Sequence, residues 1–303
     1  MFQGYNYERL LEISKRINWR VDDIIGPDKP MDFTKPFLPE SFARTAELEF
    51  LTPAERLKFN QIRGFGYLAM FELVERCILP VIEAHAPSRP DQDSHRTAAL
   101  NNFVVEEAKH IELFVAFRQA FQAGFDVDCG FIGPAEHIGA TVRSHTDMGV
   151  SLFILAIEWA TQQHWLESVQ GDEDLDPQIK SLLQHHWMEE SQHAKLDALV
   201  FFELAASAGS EGVVAGVEDF LEIGLFIDGR LKQQTELDLA SLEAAIGRKL
   251  VPADRDTFLA RQHQAQRWTF LGSALSNQGF LKALGEVSPA ARRRIEEVAP
   301  AFC

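Results

Sequence analysis

Apolar residues recur at helical spacing along most of this chain. They nowhere alternate strictly with polar ones over a sustained run, so helices are predicted and strands are not. The longest apolar-periodic stretch, about 53–85, runs through Leu57, Ile62, Phe65, Leu68, Phe71 and Leu79, with Pro80 as a point of kinking. Thr52-Pro53-Ala54-Glu55 supplies its start: an N-cap, a proline at the first helical position and an acid in the first turn. A polar loop over 86–91 leads to a second helix, about 94–123, stopped by Gly124. A third, about 147–170, carries Phe153, Leu155, Ile157, Trp159 and Trp165. After the turn Gly171-Asp172-Glu173-Asp174, Pro177 opens a fourth of about 176–208, closed by Gly209. Segment 125–147, with Gly130, Gly133, Pro134 and Gly139, reads as a crossover with short helical pieces. Residues 211–262 and 264–299 read as further helices broken near Gly247 and Pro252. Five prolines between 27 and 53 exclude long helices there and leave an irregular N-terminal arm.

The order long, long, crossover, long, long predicts an all-α four-helix bundle. It is expected as a single domain whose core spans about 53–208, with appended helices over about 211–299. At 46% hydrophobic and 24% charged residues the chain has an ordinary globular composition, and a formal charge of −16 argues against nucleic acid or an anionic membrane surface as partner. No run offers about 18 uninterrupted apolar residues, so no membrane span is expected. The first residues, MFQGYNYERLLEISKRINW, are broken by charges and do not read as a signal peptide. Cys77, Cys129 and Cys303 form no C-x-x-C pair, which excludes a zinc or rubredoxin-type site and points to a reducing cytoplasm.

One pattern inside the bundle carries chemistry. Glu107-Ala-Lys-His110 and Glu190-Ser-Gln-His193 are both Glu-x-x-His, and a chain of this composition holds about one such match by chance. The weight lies in their placement. Each falls on a predicted helix, and each is preceded one helical hairpin upstream by an acid in apolar surroundings: Glu72, 35 residues before Glu107, and Glu158, 32 before Glu190. Residues three apart share a helix face, so each Glu and His converge on one point. Two helices giving one Glu and two giving Glu-x-x-His is the inward ligand set of ferritin-like di-iron or di-manganese bundles. Buried acids need a counter-charge, and a metal pair supplies it.

Glu75 competes with Glu72, because it stands 32 residues before Glu107 and matches the other half better; the more apolar flanks favour Glu72, and Glu83 lies too near a loop. His186 precedes Glu190 by four and His193 by seven, placing it on the same stripe as a third imidazole ligand. Glu106 and Glu189 point away from the ligand face, which leaves two readings open: hydrogen bonds to the ligating histidines of the opposite half, or exposed acids. His85, His95, His137, His145, His164, His185 and His263 are expected to be structural or exposed. The expected metal ligands are therefore Glu72, Glu107, His110, Glu158, His186, Glu190 and His193, with no catalytic residue beyond them.

This set resembles the di-iron arylamine N-oxygenases of the p-aminobenzoate N-oxygenase type, over about 60–200. The family's usual Asp-Glu-x-Arg-His wording appears here only as EEAKH and EESQH. The resemblance implies a ferritin-like fold, two iron ions with manganese as the alternative, and dioxygen as co-substrate. It further implies oxidation of a small organic molecule such as an amine. No flavin, haem or iron–sulfur motif is present, so an external reductase or ferredoxin-like donor is implied, and a homodimer is an expected assembly. Competing readings are a desaturase or hydroxylase with the same ligands lacking His186, a ferroxidase or iron-handling protein without an organic substrate, and a metal-free helical scaffold.

Overall fold

A computed structural model describes residues 5–86 and 94–303. Twelve helices follow one another among them. The arm holds α1 (Tyr7–Ser14), α2 (Val21–Ile24) and α3 (Glu40–Ala43); the bundle holds α4 (Pro53–His85), α5 (Ser94–Gly124) and α7 (Asp147–Gln163), with the crossover helix α6 (Ala135–Val142). The fourth bundle helix is the first part of α8 (Pro177–Ile246), after which come α9 (Pro252–Arg267), α10 (Ser273–Ser276), α11 (Gln278–Val287) and α12 (Pro289–Val298). No strand forms among the described residues beyond an isolated bridge between Gly26 and Lys29. The paired α4–α5 and α7–α8 hairpins, joined by one long crossover, make the ferritin-like bundle. The loop expected over 86–91 lies, beyond Ala86, outside the described residues.

Helix starts follow their sequence signals. At α4, Glu55 donates its N–H to Thr52 Oγ1 (3.3 Å), and Thr52 donates its own to Glu55 Oε2 (2.8 Å), a closed capping box. Gly209 ends the fourth bundle helix as expected: its backbone breaks (φ 71°, ψ 173°), a conformation open to glycine, and a second helical stretch of α8 follows it directly. The continuation packs tightly on α7, where a Cβ on Gly216 would stand 2.1 Å from Met148 Cγ. One 18-residue window of α8 reaches a mean hydropathy of 1.4 with 28% of it buried, so by length and composition alone it would suit a membrane span. Charged residues such as Glu203, Glu211 and Glu218 interrupt the apolar runs of this helix.

The core explains why the later helices do not stand apart. A single cluster joins Leu73, Phe103, Leu152 and Phe201 of the bundle to Val217 and Leu231 of distal α8, and to Phe280, Leu284 and Ile295 of α11 and α12. A second cluster seats Trp19, Ile24, Phe37 and Phe42 of the arm on Phe65, Phe114, Phe117 and Phe121. Each phenylalanine so buried contributes about 1.5–3 kcal/mol. Polar ties fix the arm's course: the Asn60 side chain accepts from the backbone of Phe37 (2.7 Å) and Leu38 (3.0 Å), and donates to Leu38 O (2.7 Å). The arm thus lies along the bundle in a set path despite its prolines.

Candidate metal centre

At mid-height in the bundle, α4, α5, α7 and α8 bring together Glu75, Glu107, His110, Glu158, His186, Glu190 and His193, all buried. Donor atoms of Glu75, His110, His186 and Glu190 lie within 4.8 Å of one another, as do those of Glu107, His110, Glu190 and His193. The two groups share His110 and Glu190. The His186 Nε2 is 3.1 Å from both Glu75 Oε1 and Glu190 Oε1. His110 Nδ1 is 2.9 Å from Glu190 Oε1, and His193 Nδ1 is 2.9 Å from Glu107 Oε1. Glu158 completes the set beside Glu190, as Glu75 stands beside Glu107 across the other hairpin.

Glu72 is not among them. Its carboxylate pairs with Arg76 (3.0 Å), one turn on, and with Arg118 of α5 (2.5 Å). The expectation that Glu72 faces the centre is thereby corrected: its counter-charge is two guanidiniums, and Glu75 occupies the inward position. Apolar flanks misled because α4 is buried on nearly all sides from Phe59 to Cys77, so they mark no single face.

Several polar atoms in the centre have no hydrogen-bond partner. They are Oε2 of Glu75 and Glu158, both oxygens of Glu107, Oε1 of Glu190, and Nδ1 of His110 and His193. Buried polar atoms are almost always satisfied, so such a concentration calls for an explanation. The imidazole nitrogens lie at hydrogen-bond distance from carboxylate oxygens without being aligned to bond them, and a metal ion between the atoms meets both demands. Oxygen-rich, imidazole-completed donors suit iron or manganese.

Charge points the same way. Burial raises Glu75 and Glu158 well above the usual carboxylate range, and Glu107 and Glu190 beside them push them further. Burial would raise Glu190 too, but His186 and His193 outweigh it and hold it well below. Glu107 is held at about 2 against burial by the Glu75, His110 and His193 side chains beside it. Four carboxylates this close stay together only with protons or cations among them.

The outward edges of the histidines are bonded in one of the two ways the sequence allows. His110 Nε2 donates to Glu189 (2.9 Å) and His193 Nε2 to Glu106 (2.9 Å), each from the opposite half, which leaves both Nδ1 lone pairs facing the centre. Contributions of the arm have no sequence signal. Ser14 donates to Glu106 (2.5 Å), and Trp19 stacks on His110 at 6.0 Å with planes 9° apart. The Lys109 ammonium sits 3.8 Å over the Trp19 ring and pairs with Glu189 (2.5 Å). Phe103 covers His193 and Phe114 covers His186, so the histidine side is closed.

Beside the carboxylate-bearing helices lies an apolar pocket, walled by α4, α6, α7, distal α8 and the π-helical turn Trp268–Gly272. His164, which opens a second π-helical turn, lies on its wall and meets Tyr67 OH and Ser273 Oγ, each at 3.0 Å. Burial holds its pKa down at about 4, against about 6.5 when unfolded. Its contribution to stability is therefore complete above pH 6.5 and lost as pH falls towards 4. Urea unfolding at pH 7 and pH 4 is expected to show wild type losing about 3 kcal/mol more than His164→Gln.

A helical bundle with a carboxylate–histidine centre is thus defined by geometry alone. Neither protein-family models nor curated proteins show a match to the sequence. Among solved structures, the chain is similar to a tyrosine-to-phenylalanine variant of an R2-like ligand-binding oxidase with an aerobically reconstituted Mn/Fe cofactor. The TM-score is 0.47 and the identity 14%, over 88% of this chain and 93% of that one. It is also similar to a glycine-to-leucine variant with an aerobically reconstituted Fe/Fe cofactor, at a TM-score of 0.47 and 17% identity over 88% and 93%.

Proposed function

We propose that this protein is a non-haem dinuclear oxidoreductase that uses dioxygen to oxidise a small organic substrate, with electrons from an external donor. Two iron ions, or one manganese and one iron, would be held by Glu75, Glu107, His110, Glu158, His186, Glu190 and His193. The unpartnered donor atoms converging on one buried point carry this reading. Such a pair, when bound, supplies reduction of dioxygen and delivery of oxygen to the substrate.

The chain's own groups do the rest. Glu106 and Glu189 fix the tautomer and ring angle of His193 and His110. Trp19, Phe103 and Phe114 keep water from the histidine side. The adjoining pocket has an apolar lining of the kind that receives an organic substrate, which favours an oxygenase or oxidase over iron storage. N-oxygenation of an amine is one outcome such a centre permits.

Metal analysis after anaerobic loading is expected to find two ions per chain, and the chemically reduced protein is expected to take up dioxygen. Fewer than about one ion per chain would overturn the proposal. His186→Ala is expected to keep the fold, weaken the ion beside Glu75 by about tenfold or more in a chelator competition, and shift the metal absorption spectrum. Full metal content with an unchanged spectrum would remove His186 from the ligand set.

A further inference from the structure

The cavity beside the centre has a lining that selects by charge and by hydrogen-bond direction. Most of its wall is hydrocarbon, including Met70, Leu73, Val74, Phe153 and Ile157, and among the described residues no acidic or basic side chain other than His164 lines it. Its polar groups are Thr161, His164 and Thr269 towards one end and the Cys77 thiol on α4.

The direction of each hydrogen bond on this wall can be followed. Thr161 Oγ1 donates to Ile157 O (3.1 Å), and Thr269 Oγ1 to Ala265 O (2.9 Å). Ser273 Oγ donates to Thr269 O (2.8 Å), so it accepts from His164 Nε2; His164 Nδ1 then accepts from Tyr67 OH. His164 is therefore neutral with both ring nitrogens engaged. What remains for a guest is the lone pairs of Thr161 and Thr269, which are acceptors. Apart from the weak thiol, the wall offers an incoming anion neither a cation nor a free donor.

The cavity also runs alongside the centre. Phe71 lines it and packs edge-on against His186 (5.5 Å, 80°), while Val74 precedes Glu75 and Ile157 precedes Glu158 in sequence. One phenyl ring separates the cavity from the imidazole that distinguishes the two halves.

We propose that this cavity is the substrate site and that it takes an uncharged, mainly hydrocarbon molecule whose polar group is a hydrogen-bond donor, such as an alcohol, facing Thr161 and Thr269. A carboxylate-bearing arylamine, the substrate type implied by the sequence resemblance, does not suit it. The inference rests on the dinuclear reading above.

The test uses the metal-loaded full chain, titrated calorimetrically with 1-octanol, octanoate and 4-aminobenzoate. 1-Octanol is expected to bind at one site and to perturb the metal absorption spectrum. The two carboxylates are expected to bind about 100-fold more weakly or not at all, since a buried anion without a partner is strongly disfavoured. Val142→Phe, on the cavity wall in α6 and away from the ligands, is expected to abolish octanol binding with metal content unchanged. Ile138→Phe serves the same purpose if that variant does not fold. Carboxylates binding as tightly as octanol, octanol binding unchanged in a folded cavity-filled variant, or bound octanol leaving the metal spectrum unaltered would each overturn the proposal. Metal content is read separately: a chain that loads no metal removes the dinuclear reading, whereas a loaded chain that fails to discriminate removes only this one.

Discussion

Replacing Glu190 with alanine is expected to abolish stable metal binding and, with it, all turnover. Glu190 is the acid common to both donor groups, and one of its oxygens lies 2.9 Å from His110, 3.1 Å from His186 and 3.3 Å from His193. Losing a peripheral partner of a ligand weakens metal binding by about 10–100-fold, and losing an acid that serves both positions exceeds that range. Metal analysis after dialysis against a chelator checks the first part and dioxygen uptake the second. The fold itself is expected to persist, because the surrounding core is apolar and the change removes one of four mutually repelling carboxylates. Retention of two ions by folded Glu190→Ala would contradict the arrangement.

A paired substitution separates the two acids of α4. Glu75→Ala is expected to lose about one metal equivalent while remaining folded. Glu72→Ala is expected to keep both ions and instead lower stability by about 1 kcal/mol, because Arg118 and Arg76 lose a shared partner and both are partly hydrated. Metal content and urea unfolding measured on both variants give opposite patterns. The reverse outcome would restore Glu72 to the centre.

That pair also shows how far the sequence could be read. The long helices, their caps and the Glu-x-x-His faces follow from local rules that hold within one element, so α4, α5, α7 and the start of α8 appear close to their predicted limits. Glu106 and Glu189 were readable because their angle on the helix excludes the ligand face. The choice between Glu72 and Glu75 was also written in the chain, in the separation of 32 residues shared by the two halves. It was outweighed by flanking hydrophobicity, which informs about a face only when the opposite face is wet, and around Glu72 all of α4 from Phe59 to Glu75 is buried. Trp19 and Ser14 could not have been found, because an irregular arm carries no periodicity to say what it lies against. The stop at Gly209 was readable, since a glycine just past a periodic stretch marks a helix end; that the next helix packs on α7 through Gly216 and Met148 was not.

The closure of the histidine side has a kinetic meaning. The centre's seven side chains are buried, and the arm lies over His110 through Trp19 and over Glu106 through Ser14. An ion has no open route past those contacts, so entry from the histidine side requires the arm to lift. Loading by that route is governed by an opening equilibrium. Its rate is expected to level off as metal concentration rises, and Trp19→Ala, which loosens the latch, is expected to raise the plateau while leaving the final stoichiometry unchanged. Stopped-flow tryptophan fluorescence and metal absorbance would follow the two steps separately, since Trp19 is itself part of the latch.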